Sequence, residues 1–185
     1  MCSKELANNH QHLLDPLSRK LICACDACAI LFNNQGQTKY KRVPRRIRFL
    51  PDFHMTDSQW DGLMMPINMA FFFKSTPQDR VIALYPSPAG ATESELPDAT
   101  FRELAAATPL LREVAPDVEA LLVYGRRSPK LASFLVPIDR CYRLVGEVRR
   151  HWQGINGGDR VWARVDAFFE DLRARARALV PEEAR

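Results

Sequence analysis

The order of apolar and polar positions along the chain predicts strands first and long helices afterwards. Residues 67–74 are almost wholly apolar, which predicts a strand buried on both faces. Residues 80–85 fit its hairpin partner. Residues 119–124 and 132–136 predict a second hairpin, and the β-branched content of residues 38–50 predicts two short extended pieces interrupted at a proline.

Helical spacing dominates the second half of the chain. Pro137 opens a helix predicted to end near Trp152. A last helix is predicted to begin with Asp159 as its cap. Its core-facing stripe comprises Val161, Val165, Phe168, Leu172 and Leu179. Shorter helices are predicted at residues 57–63, 97–107 and 109–114.

These elements predict an α+β fold, with a mainly antiparallel sheet and C-terminal helices on one of its faces. A small zinc-ribbon-like segment, residues 1–35, precedes a compact α+β body formed by residues 36–185. Between two predicted elements, residues 85–95 combine two prolines with a glycine and are interpreted as a rigid loop.

Composition supports a soluble, single-chain globular protein and excludes a membrane-inserted one. The chain has 185 residues, of which 46% are hydrophobic and 26% charged. The longest apolar run, residues 69–73, is far too short to span a bilayer. The N-terminus shows no long apolar signal region, so we expect a cytoplasmic protein with reduced thiols.

Cysteine and histidine residues concentrate at the N-terminus, where they indicate a metal site. Cys25 and Cys28 form a Cys-x-x-Cys pair, the firmest ligands in this pattern. Cys23 and His10 are the favoured completions of a tetrahedral zinc site, and His12 and Cys2 are further candidates. The cysteines are predicted to lie on a turn between short strands at residues 19–22 and 29–32, as in a zinc knuckle.

Zinc is the expected metal, and the cysteines leave three alternatives open. An iron–sulfur cluster would use four thiolates. Buried free thiols and a redox dithiol are the other interpretations. The four thiolates for a cluster are Cys2, Cys23, Cys25 and Cys28.

Two other groups of polar residues have a functional and a structural interpretation. A basic run without acids would suit an anionic partner, yet the solvated face of a strand pair explains it better, and nucleic-acid binding is not expected. The residues of the run are Lys39, Lys41, Arg42, Arg45, Arg46 and Arg48. The loop residues that would line a pocket, or else serve as a connector and cap, are Ser87, Thr92, Glu93 and Ser94.

One predicted helix carries a third polar group whose role is open. Asp139, Arg140, Tyr142 and Arg143 suit either an ion-pair clamp or ordinary helical surface charge. Catalysis finds no support, because the sequence has neither a nucleophile elbow nor a phosphate-cradling glycine run.

The chain resembles an uncharacterised bacterial family, classed as a domain of unknown function, whose members are often encoded beside nickel–iron hydrogenase genes. The resemblance rests on the His-x-His and Cys-x-Cys-x-x-Cys motifs and on blocks along nearly the whole chain. The blocks are residues 10–15, 23–32, 50–53, 70–73, 85–94, 116–122 and 136–146.

The resemblance implies an accessory or maturation role, with a hydrogenase subunit or maturation factor as protein partner. Members of the family carry a full Cys-x-x-Cys ahead of the His-x-His. Cys2 matches its second cysteine, so the first would lie upstream of Met1 or has been lost, with Cys23 or His10 as its substitute. The expected function is therefore a non-catalytic, zinc-binding accessory protein acting through protein contacts.

Overall fold

Two sheets and a pair of long helices form the described part of the chain. The computed structural model describes residues 2–33, 39–63, 65–94, 103, 106, 114–125 and 132–178. Within these ranges, every helix is too short or too polar to cross a membrane. The fold class is mixed α+β, as the sequence predicts.

The smaller sheet lies near the N-terminus and has the order β2-β1-β3, with both pairs antiparallel. Its strands are β1 (Gln11–Asp15), β2 (Lys20–Ala24) and β3 (Lys41–Arg42). Helix α1 (Asp26–Leu31) follows directly. The zinc-knuckle strand predicted at residues 29–32 is therefore wrong. Cys25 is extended and its Sγ accepts the Cys28 N–H, which starts a helix instead.

The larger sheet has seven strands in the order β10-β4-β9-β8-β5-β6-β7. All its pairs are antiparallel except β10 with β4. The two predicted hairpins are confirmed as β5/β6 and β8/β9. The strands are β4 (Arg48–Phe49), β5 (Met69–Ser75), β6 (Arg80–Ser87), β7 (Gly90–Ser94), β8 (Glu119–Tyr124), β9 (Ala132–Pro137) and β10 (Arg177–Ala178).

The rigid loop predicted at residues 85–95 is wrong, because β6 and β7 form a third hairpin there. Ser87 pairs with Gly90, and only two residues connect the strands. Gly90 has φ +130°, which a residue with a side chain rarely adopts. Prolines usually disfavour a strand interior, but Pro86 lies one register position from the end of this ladder.

Helices α2 (Asp57–Asp61), α3 (Ile138–His151) and α4 (Gly158–Arg175) complete the described elements. The short helix is confirmed, and Thr56 caps it through a reciprocal hydrogen-bond pair with Gln59. The cap predicted at Asp159 is wrong, since Gly157 at φ +83° precedes the last helix. Most of the helices predicted at residues 97–107 and 109–114 lies outside the described residues, as does Leu179. Within these two ranges the structure describes Glu103 and Ala106, which are helical, and Val114, which is not.

The central strands of the larger sheet, β5, β8 and β9, are buried on both faces. Phe71 and Phe134 point towards the layer that contains α3 and α4, whereas Phe72 packs against the opposite side. Phe53 and Leu63, from the segment before β5, cover that opposite side. This arrangement confirms the two-sided burial predicted for residues 67–74, and it places the C-terminal helices on one face.

The helical layer contains a buried cysteine and a pair of packed tryptophans. Cys141 on α3 is completely buried, and burial raises the pKa of its thiol well above the ordinary value. Trp152 and Trp162 pack edge to face near the turn between α3 and α4, with ring centres 6.0 Å apart. Cys141 therefore belongs to the packed core, whereas the two tryptophans are half-buried at the edge of the helical layer.

The smaller sheet is attached to this core through side chains as well as through the chain. Leu14 and Val43 belong to the same buried cluster as the α3 residues. Asp117, just before β8, accepts a hydrogen bond from Lys41 of β3 at 2.6 Å. The N-terminal elements therefore have a fixed position relative to the start of α3.

Candidate metal centre

Three thiols lie together at the end of the smaller sheet. The Sγ atoms of Cys2, Cys25 and Cys28 all lie within 4.8 Å of one another. The Cys2 sulfur is 3.5 Å from that of Cys25 and 3.3 Å from that of Cys28. Sulfur ligands of one tetrahedral zinc ion are separated by about 3.8 Å, given zinc–sulfur bonds near 2.3 Å. The three thiols are therefore spaced as one ion requires.

Local structure explains why these three meet. Cys25 follows the last residue of β2 and is the N-cap of α1. Cys28 occupies the first turn of that helix, where its side chain is buried against Leu13 and Ala29. Cys2 approaches from the exposed N-terminal segment. The Cys-x-x-Cys spacing therefore sets two ligands by helix geometry, and the third comes from the chain terminus.

The thiols have unequal proton affinities. A hydrogen bond from the Lys4 backbone, assisted by the Cys28 and Cys25 thiols, lowers the pKa of Cys2 from 9.0 to about 7. The Cys2 backbone acts to lower the pKa of Cys28, but the Cys2 thiol and burial outweigh it and raise that pKa. Because metal binding requires thiolates, Cys2 is the ligand that loses its proton more readily than Cys28.

A second group lies on the strands and not at the helix start. One ligand atom from each of His10, His12 and Cys23 lies within 4.8 Å of the other two. His12 is directly opposite Cys23 in the β1/β2 ladder, and His10 precedes it by two residues. The sequence predicts that Cys23 and His10 complete the Cys25–Cys28 site. The structure instead groups them with His12, because the backbone leaves the strand direction at Cys25.

His12 has a partner that no local pattern in the sequence identifies. Its Nδ1 lies 2.7 Å from Oδ2 of Asp139, at the start of α3 and 127 residues further along the chain. Asp139 was a candidate for a clamp or for surface charge. The structure places it behind a histidine of the second group instead.

The basic run is engaged in contacts within the fold. Arg42 donates two hydrogen bonds to the side chain of Gln11, and Arg45 donates to the backbone carbonyl of His10 at 3.1 Å. Arg48 also has an interaction partner. These contacts favour the structural interpretation of the run. The remaining three residues form the ion pairs Lys39–Asp15, Lys41–Asp117 and Arg46–Glu119.

The residues considered for a pocket loop likewise serve the β6/β7 hairpin. Ser87 and Thr92 are hydrogen-bonded across the turn at 2.9 Å. Ser94 donates to the backbone carbonyl of Leu63. Burial acts to raise the pKa of Glu93, but Arg80 at 2.6 Å, together with a second arginine, outweighs it and lowers that pKa.

Fold and thiols together define an α+β protein with a cysteine cluster able to hold a metal ion at its N-terminal end. The chain belongs to DUF5947, a family of unknown function whose model matches residues 1–176. Comparison with curated proteins gives no match, and neither does comparison with solved structures. Any functional conclusion therefore depends on the geometry of the site.

Proposed function

We propose that this protein binds zinc through Cys2, Cys25 and Cys28 and acts as a non-catalytic accessory protein. The single observation behind the proposal is the approach of the Cys2 sulfur to within 3.5 Å of the other two. Thiolates are soft ligands that suit zinc, and a fourth ligand from water or a partner would complete the tetrahedron. The metal would order the N-terminal segment, because the larger sheet has its own core.

An apolar surface beside the thiols supports a role in protein–protein contacts. Ile30 and Leu31, each 70% exposed, lie on α1 next to buried Cys28. Fixing the helix start by metal coordination would hold these two side chains in place for a partner. The proposed partner is a nickel–iron hydrogenase subunit or maturation factor, which the family resemblance implies, and the proposed compartment is the cytoplasm.

Elemental analysis of the purified, untagged chain tests the metal. We expect about one equivalent of zinc per chain at this site, lost in Cys25→Ser and Cys28→Ser. Cys141→Ala is the matched control, because it removes a cysteine buried in the core, remote in sequence from the cluster. Wild-type protein with less than about half an equivalent of zinc or iron would contradict the site.

An iron–sulfur cluster held by these three thiolates and a fourth ligand is the second candidate, and the absorption spectrum separates it from zinc. A colourless zinc protein supports the proposal. A brown protein after anaerobic purification, with sulfur-to-iron charge-transfer absorption, supports the cluster instead.

Co-purification tests the partner. The protein should retain a hydrogenase subunit or maturation factor when both are expressed together, and Ile30→Glu with Leu31→Glu should abolish the complex while keeping the zinc. Leu17→Glu is a matched control, because Leu17 is 79% exposed but lies in the β1/β2 turn. No complex with the wild-type chain would overturn the hydrogenase assignment.

A further inference from the structure

The β1/β2 ladder builds a second set of metal-ligand side chains next to the thiol cluster. His12 and Cys23 are directly paired across the two strands, and His10 lies on the same side because residues two apart share a face. The two imidazole rings meet edge to face with their centres 5.0 Å apart. One atom from each residue lies within 4.8 Å of the other two, a limit that includes the separation of about 3.5 Å between ligands of a single zinc ion.

Both histidines are oriented as metal ligands usually are. Nδ1 of His12 lies 2.7 Å from the Asp139 carboxylate, and Nδ1 of His10 lies 2.8 Å from the Ala7 carbonyl oxygen. Each partner is an acceptor, so Nδ1 donates in each hydrogen bond, and the neutral form of each ring presents the lone pair of Nε2 to a metal ion. Metal-bound histidines typically use the other ring nitrogen in this way.

One of these Nε2 atoms is buried without a contact that satisfies it. Nε2 of His10 is buried and has no hydrogen-bond partner among the described residues. Leaving a buried acceptor unpaired costs about 1–3 kcal/mol, so such atoms need a compensating contact. A metal ion shared with His12 and Cys23 would supply it.

We propose that His10, His12 and Cys23 form a second metal site, separate from the thiolate cluster, which binds a divalent transition-metal ion such as zinc. Two imidazoles and one thiolate provide three ligands, and zinc sites with three protein ligands keep a fourth position open. This inference does not rest on the thiolate site, since the two sites share no ligand.

The surroundings of the two histidines indicate what occupies the open position. Both histidines line a cavity of about 440 Å³, and Asp139, already facing His12, is the one acid among the described residues that line it. A cationic wall beside a metal ion favours a small oxyanion, a phosphate or carboxylate group, as the fourth ligand. The basic residues of the wall are Arg45, Arg140, Arg143 and Arg175.

Cobalt(II) binding to the full chain tests the metal site. In the Cys25→Ser/Cys28→Ser variant we expect about one equivalent of cobalt(II), with thiolate-to-cobalt charge transfer from Cys23. Adding His10→Ala and His12→Ala should remove that equivalent. Adding His54→Ala should not, because His54 is an exposed histidine in the segment before β5, outside both ligand groups.

Wild-type protein gives an independent measurement in case the serine variant fails to fold. We expect two equivalents of cobalt(II), falling to one in His10→Ala/His12→Ala. If the histidine substitutions leave the stoichiometry and the spectrum unchanged, the second site is refuted. If instead the wild type binds one equivalent and the histidine variant binds none, the thiolate site fails and this one stands.

Asp139→Asn tests the positioning of His12. The variant should bind cobalt(II) at this site ~10–100-fold more weakly and leave the thiolate site unaffected, as expected for a partner of a metal-bound histidine. An unchanged affinity at both sites would contradict the role of Asp139.

Titration with inorganic phosphate, and separately with acetate, tests the open position. Each is added to the cobalt-loaded serine variant while the d–d absorption bands are followed. A saturable spectral change with either anion, weakened by Arg140→Gln/Arg143→Gln, supports the oxyanion ligand and identifies which group is preferred. No change with both anions refutes the oxyanion ligand.

Discussion

The carboxylate of Asp117 links the two sheets, and its neutralisation yields a quantitative prediction. The side chain is 2% exposed and accepts three hydrogen bonds. Lys41 Nζ of β3 lies at 2.6 Å, and the backbone N–H and hydroxyl of Thr76, in the β5/β6 turn, lie at 2.8 and 2.6 Å. Asp117→Asn removes the charge and retains nearly the same shape.

The expected loss is about 3 kcal/mol of unfolding free energy. Breaking a buried ion pair costs about 3–5 kcal/mol, and the lower end applies because Lys41 is 38% exposed and regains water. Backbone strain does not contribute, because Asp117 has φ +70° and asparagine tolerates that region as well as aspartate does. For a chain of this size the loss corresponds to a melting temperature lower by about 6–12 °C.

Urea unfolding at neutral pH measures the change, and Asp79→Asn is the matched control. Asp79 also has positive φ, but its side chain is 91% exposed and its nearest cation, Lys74, is 3.8 Å away. We expect that control to change the unfolding free energy by less than about 0.5 kcal/mol. A loss under about 1 kcal/mol in Asp117→Asn, or an equal loss of stability in the two variants, would contradict a buried ion pair at this position.

Three further predictions concern the helices and the β6/β7 hairpin. Gly157→Ala should destabilise the chain by at least about 1 kcal/mol, because φ is +83° at this position and the new Cβ would lie 2.8 Å from Val161. Gly146→Ala, at an exposed position of α3, should instead stabilise the chain by about 0.5–1 kcal/mol. Denaturant midpoints that move in the same direction in the two variants would contradict this contrast. Cys141→Ser should cost about 1–3 kcal/mol more unfolding free energy than Cys141→Ala, because the serine would place a hydroxyl at a completely buried position. Equal melting temperatures of the two variants would argue against an apolar pocket. Arg80 and Arg19 lower the pKa of Glu93 below 4.5, so the stability that this carboxylate contributes is present above pH 4.5 and is lost as the pH falls through the pKa of the folded state. Glu93→Gln should therefore be less stable than the wild type above that range and equally stable in stronger acid. A difference in stability that is constant at all pH values would refute the linkage.

Regular apolar patterning makes much of the fold predictable. The short apolar run around Phe72 has the length and composition of a strand buried on both faces, and the structure has that strand. The short helix at residues 57–61 is predictable because its start signals are local in sequence. The helix at Cys25 was missed because its apolar residues also fit a strand, and a six-residue segment carries too little periodicity to decide.

The sequence indicates which residues can serve as metal ligands, but not which of them the fold brings together. Spacing identified Cys25 and Cys28, since two residues between cysteines always keep them close. Separating Cys23 from them required knowing where the strand ends, which depends on the packing of Cys28 against Leu13. The His12–Asp139 contact joins positions 127 residues apart, and no local pattern encodes such a pair.

The tryptophan pair Trp152–Trp162 gives this protein an optical reporter of its helical layer that is separate from the metal centre. Two of the three tryptophans sit at the α3/α4 junction, and the remaining one, Trp60, lies on α2. Intrinsic fluorescence therefore reports mainly on the helical layer, while thiolate-to-metal absorption of the cobalt-loaded chain would report on the N-terminal sheet. Coincident unfolding curves from the two signals would mean one cooperative unit, and an earlier loss of the metal signal would mean that the N-terminal sheet opens as a unit of its own.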